Sequence, residues 1–198
     1  MKLKNICVYC GSSSGKNPAY VESAKQLADV LVERNIGLVY GGAQIGVMGA
    51  VANRMLEQGG RVIGVIPEGL LLKEVAHQGL TELHVTKSMH ERKALMAEHS
   101  EGFIALPGGI GTFEELFEVW TWAQLGFHHK PCGLLNIAGY YDQLIAFLDH
   151  AADEGFVKPP HRELLMVEQD PAKILDRMAL YTPPASSPLA VKLNLAAT

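Results

Sequence analysis

Short apolar runs alternate along this chain with longer segments whose apolar positions recur at helical spacing. "ICVYC" is the first run and ends at Gly11. From Pro18 to Arg34 the pattern changes period, with Val21, Ala24, Leu27, Ala28, Leu31 and Val32 on one face, which predicts an amphipathic helix. "GLVYGG" and "RVIGVIP" read as strands on either side of a helix in "VMGAVANRMLEQGG", which Gly59 and Gly60 close. "TELHVT" is a short strand, and "SMHERKALMAEHS" is a helix with Ser88 as N-cap and Glu91 three residues on. "EGFIALPGG" predicts a strand and turn, followed by a helix from Thr112. "CGLLNI", a helix from Tyr140 to about Glu154, "HRELLMVE" and "DPAKILDRM" complete the series.

Such alternation predicts an α/β fold, a Rossmann-like parallel sheet with helices on both faces. Residues 1–180 read as a single domain, and 181–198, "YTPPASSPLAVKLNLAAT", as a loosely held extension. Hydrophobic residues make up 48% of the 198 and charged residues 19%, enough for a sizeable core. The net charge of −4 argues against a nucleic-acid polymer or a membrane surface as partner. No apolar run reaches the roughly 18 residues of a membrane span. The opening "MKLKNICVYC" lacks a signal-peptide layout, and three sparse cysteines suit a reducing compartment, so a cytoplasmic location is expected. Cys7 and Cys10 form a C-x-x-C, but within a strand residues three apart face opposite sides, which disfavours a redox or zinc pair.

Ligands of open parallel sheets bind beyond the carboxyl ends of the strands. Three such ends carry glycines: "CGSSSG", "YGGAQIGVMG" and "LPGGIGT". None has the dinucleotide spacing or the lysine of a triphosphate loop. In the third, Gly108, Gly109 and Gly111 allow the backbone to bend round an anion at a helix start, and a phosphate is the natural guest. A competing reading needs no ligand: Thr112 and Glu115 have the spacing of a capping box, and Glu114 and Glu115 favour the helix dipole. Arg92 and Lys93 lie in the first turns of their helix, where cations oppose the dipole; they are either a functional pair or a solvated basic patch. His90, His99, His128 and His129 show no metal spacing and are assigned to surface or packing. Phe113, Phe117 and Trp120 form a core stripe.

"PGGIGTFEE" and "MHERK" together resemble the paired motifs of the Lonely Guy family of cytokinin-activating phosphoribohydrolases, often labelled "lysine decarboxylase". "VYCGSS", "GVMGAVA", "GVIPEGL", "ELFEVWTWAQLG" and "GYYDQLIAFLDHA" extend the likeness over about Lys4 to Ala179. The resemblance implies a Rossmann-like, dimeric hydrolase that cleaves N6-substituted adenosine 5′-monophosphates to free base and ribose 5-phosphate without cofactor or metal. It implies Arg92 and Glu115 as catalytic. Glu74, Lys93, Gly108, Gly109, Ile110, Gly111, Thr112, Phe113, Glu114 and Thr121 would hold the purine nucleotide. The chain departs from the family's "YGGG" at Ala43, which could change the approach of backbone to ligand there.

The likeness makes chemical sense. Glycosidic cleavage builds positive charge on the ribose, which a carboxylate stabilises, while the departing purine gathers negative charge. Main-chain amides would hold the phosphate, with Glu115 nearly one turn further on facing the sugar. Pyridoxal chemistry finds only Lys93 near the site. A non-catalytic nucleotide or molybdenum-cofactor carrier has no need of both Arg92 and Glu115. An AMP nucleosidase would share the whole site.

Overall fold

The computed structural model describes residues 2–71 and 76–183. Seven strands make one parallel sheet: β1 (Asn5–Tyr9), β2 (Gly37–Tyr40), β3 (Val62–Pro67), β4 (Glu82–Thr86), β5 (Gly102–Ala105), β6 (Cys132–Leu135) and β7 (Leu165–Glu168). Their order is β4-β3-β2-β1-β5-β6-β7. Apart from Asn5 at the start of β1, the middle strands are buried along their whole length, as the unbroken apolar runs require. Successive residues serve opposite faces. Ile6 and Val8 join a core beneath α1 (Ala19–Glu33), α2 (Gly46–Glu57) and α8 (Pro171–Ala179). Cys7 and Tyr9 join a second core beneath α4 (Met89–Glu98), α5 (Ile110–Leu125) and α6 (Asp142–Asp153). The described residues also include two four-residue helices, α3 (Glu68–Leu71) and α7 (Pro159–Arg162).

Helices on both faces of a parallel sheet are what the sequence pattern predicts. The chain winds outward from β1 to β4, then returns to the centre and winds the other way from β5. The switch point therefore lies between β1 and β5, where loops leave the sheet in opposite directions and a crevice opens. Among the described residues no helix is long and apolar enough to cross a membrane. Glu74 and most of the proline-rich tail lie outside the described residues.

Cys7 and Cys10 face opposite cores, and burial pushes both thiols well above their ordinary range. All three cysteines are free and buried, so the C-x-x-C spacing carries no redox pair. The expected starts of two helices move. The sixth begins at Asp142 because Ile137–Gly139 first make a tight 3₁₀ turn. The fifth begins at Ile110, two residues before Thr112, with Gly109 as its N-cap.

His128 is a packing residue, as its lack of metal spacing implies. Its ring lies 5.2 Å from Phe103; Nε2 meets the Val119 carbonyl at 2.8 Å and Nδ1 accepts from the Lys130 amide at 3.1 Å. This pairing needs the neutral ring with its proton on Nε2. Burial, first of all, pulls its pKa down to about 4. The unfolded chain therefore binds a proton here between the ordinary value near 6.5 and about 4 that the folded chain does not. Folding stability should fall as pH drops through that window. Thermal melts at pH 7, 6, 5 and 4 should show His128→Gln losing less of its midpoint than the parent chain.

Candidate functional site

The crevice at the switch point holds a pocket of about 220 Å³, walled by Cys10, Gly11, Ser12, Met48, Arg92, Gly109, Ile110, Gly111, Thr112 and Glu115. Two sequence motifs thus meet across the second face of the sheet: the PGG turn after β5 and the MHERK segment that opens α4. Glycines make the meeting feasible. The Arg92 guanidinium occupies the place a Cβ on Gly41 would take, so a side chain there would expel it. Gly108 is likewise closed in by the Thr112 side chain and the Gly11 amide. Gly109 and Gly111, in contrast, have nothing within 4 Å of where a Cβ would stand. Their backbones face open space at the start of α5, where the first-turn amides have no intrahelical acceptors and Gly109 supplies no capping side chain. Donors and helix dipole together favour negative charge at this place.

The capping-box alternative fails on the same geometry. Since α5 starts at Ile110, Thr112 and Glu115 are inside the helix. Thr112 is buried against Gly108, and Glu115 points inward to Arg92. Glu115 Oε1 stands 3.6 Å from Arg92 Nη2, with 11% and 8% of the two side chains exposed. That separation is a charge contact rather than a hydrogen bond. Arg92 is fixed from behind, where Nε donates to the Val65 carbonyl at 3.1 Å. Ser88 caps α4 through the Glu91 amide, as the sequence predicts, although the Glu91 carboxylate accepts from the Lys87 amide instead of completing the box on Ser88.

Arg92 and Lys93 do not form a solvated basic patch, because both are buried. Lys93 turns away from the pocket. Its Nζ donates to Glu114 at 2.6 Å and to Glu118 at 2.9 Å, tying α4 to α5. Burial opposes its charge, but the two carboxylates outweigh that effect and its pKa is raised. Phe113 and Phe117 are half-buried at the rim of the second core, and Trp120 is buried with Nε1 donating to the His161 carbonyl at 2.9 Å. Thr121 is exposed, its hydroxyl on the Phe117 carbonyl. At 1.5 Å per residue it is about 15 Å along α5 from Gly111, outside this pocket. Ala43, where the family pattern has glycine, is fully buried in the first core and is not among the residues that wall this pocket.

Two parts of the surroundings escaped sequence reasoning. Ser12 lies on the pocket wall and "CGSSSG" could have pointed to it. Tyr140 and Tyr141 reach the PGG turn from a distant segment, and nothing local in "GYYDQL" signals that. Among the described residues no group of three or more His, Cys, Asp or Glu could hold a metal ion.

The Lys93 strut has a measurable weight. Replacing it with methionine strands Glu118, one of whose oxygens is already buried without a hydrogen-bond partner. Lys93→Met should cost about 1–3 kcal/mol, read as a lower urea midpoint at unchanged slope.

The comparisons agree with the motifs. The family model described as "Possible lysine decarboxylase" matches residues 48–178. The chain is 50% identical over 193 residues to "Probable cytokinin riboside 5′-monophosphate phosphoribohydrolase LOGL5" of Oryza sativa subsp. japonica, covering 98% of this chain and 78% of that one. It is 49% identical over 182 residues to "Cytokinin riboside 5′-monophosphate phosphoribohydrolase LOG5" of Arabidopsis thaliana, covering 92% and 80%. Among solved structures, the molybdenum cofactor carrier protein of Chlamydomonas reinhardtii superposes with a TM-score of 0.68 at 22% identity, over 91% of this chain and all of that one. That likeness is one of fold. The paired motifs, the sheet and the sequence identities together place this chain in the Lonely Guy family, the one the "Possible lysine decarboxylase" model describes.

Proposed function

We propose that this chain hydrolyses the N-glycosidic bond of N6-substituted adenosine 5′-monophosphates, releasing the free base and ribose 5-phosphate. The observation that carries the reading is the inward turn of Glu115 to Arg92, one helical turn from the open amides of Gly109 and Gly111. The named activity of relatives about half identical in sequence supports it. The 5′-phosphate binds at the start of α5 and anchors the sugar, so remote binding energy goes into orientation. The ribose then lies over Glu115. As the C1′–N9 bond breaks, its electron pair leaves with the purine, and the carboxylate stabilises the cationic sugar. Water adds its oxygen to C1′ and gives up a proton, and one proton is delivered to the departing base. Arg92 supplies a guanidinium opposite that carboxylate. Held by the Val65 carbonyl of β3 and set against Glu115, it balances the negative charge that gathers on the purine. Lys93 and Glu114 act on the nucleotide through the position of α5.

Glu115→Gln should bind nucleotide within a fewfold of the parent and lose about 10²–10⁴-fold in turnover. Free base released from isopentenyl-AMP and from AMP, followed by chromatography, checks this and ranks the two substrates. Near-normal turnover in the variant would remove Glu115 from the reaction. Release from neither substrate by the parent would favour the carrier reading.

We also propose a homodimer in the cytoplasm. Thr121 can meet substrate only if a second copy supplies it, and exposed Phe127, Phe147 and Phe156 offer apolar surface to cover. Sedimentation at micromolar concentration should give twice the 21.5 kDa chain mass. A monomer that is fully active would overturn the dimeric site.

A further inference from the structure

The connection from β6 to α6 adopts a disfavoured conformation. Ala138 sits at φ 51° and ψ 33°, a left-handed region that a residue with a Cβ rarely enters, and Gly139 follows at φ 71°. Asn136 holds the turn. Its Oδ1 accepts from the Tyr141 amide at 2.8 Å, and its Nδ2 donates to Asp142 at 2.7 Å. The result is two neighbouring tyrosines, their rings at 83°, aimed back at the glycine turn more than thirty residues earlier. Tyr141 Oη donates to the Leu106 carbonyl at 2.7 Å, and Tyr140 Oη donates to the Gly108 carbonyl. Between them the Gly11 amide donates to the Pro107 carbonyl at 3.2 Å. Three successive carbonyls are therefore held in place.

In a trans peptide the N–H points opposite to the C=O. Holding the Gly108 carbonyl thus fixes the direction of the Gly109 amide at the helix start. We infer that Tyr140 is a positioning residue of the anion site: its hydroxyl sets the Gly108–Gly109 peptide plane so that the amide faces a bound phosphate. Tyr141, buried behind it, secures the other end of the turn. The inference rests on the proposed function only for which phosphate is bound.

Tyr140→Phe tests it, because the ring stays against Tyr20 and Tyr141 and only the hydroxyl is lost. Tyr140 is 38% exposed, so folding should tolerate the change. Titration calorimetry with ribose 5-phosphate and with inorganic phosphate, KM and kcat with isopentenyl-AMP, and the melting midpoint are the readouts. Both dissociation constants and KM should rise together about five- to tenfold, with kcat and the midpoint nearly unchanged. A lowered midpoint with unaltered phosphate affinity would make the bond merely structural and overturn the inference. So would phosphate binding too weak to detect in the parent. If the parent binds phosphate but cleaves no nucleotide, the hydrolase reading falls, and the calorimetric shift alone decides the role of Tyr140.

Discussion

The site depends on keeping opposite charges nearly dry and immobile at the switch point of the sheet. Taking Arg92 and Glu115 out of water costs several kcal/mol per ion, and mutual attraction at 3.6 Å recovers only part of it. Apolar residues of similar volume would serve stability as well. Retaining both charges makes sense if a reaction uses them, since a fixed charge in a low-dielectric pocket needs no reorganisation when charge develops on a substrate.

That requirement organises the neighbouring backbone. Gly41 leaves room for the guanidinium, and the Val65 carbonyl of β3 holds it. Gly108 is packed shut, whereas Gly109 and Gly111 face open space, so adjacent glycines in one motif have different tasks. The first admits close packing within the protein; the others leave room for something from outside. Lys93 completes the frame by locking α4 to α5 through Glu114 and Glu118, which fixes the helices that carry the charged pair.

The fold neighbours put this in context. A molybdenum cofactor carrier shares this fold at 22% identity. A parallel sheet with a switch point supplies a place for an anionic ligand, and what happens there is decided by the side chains on the crevice wall. Here those include a carboxylate one turn inside the helix, which an anion carrier would have reason to avoid.

The sequence by itself determined the sheet, its two cores and the pairing of motifs. Strand and helix periods are local properties, and alternation such as Ile6–Cys7–Val8 assigns residues to opposite faces without further information. It also singled out Arg92 and Lys93, because cations early in a helix run against the local field, whereas Glu115 stood out only through the likeness to the family's paired motifs. Only the tertiary structure decided that Lys93 serves the helix pair, that Glu115 faces Arg92 rather than capping its own helix, and that two tyrosines hold the glycine turn. Each of these is a contact between segments distant in the chain. Capping-box spacing looks the same whether a helix starts at Ile110 or Thr112, and a side chain's partner across the core leaves no periodic trace in its own neighbourhood.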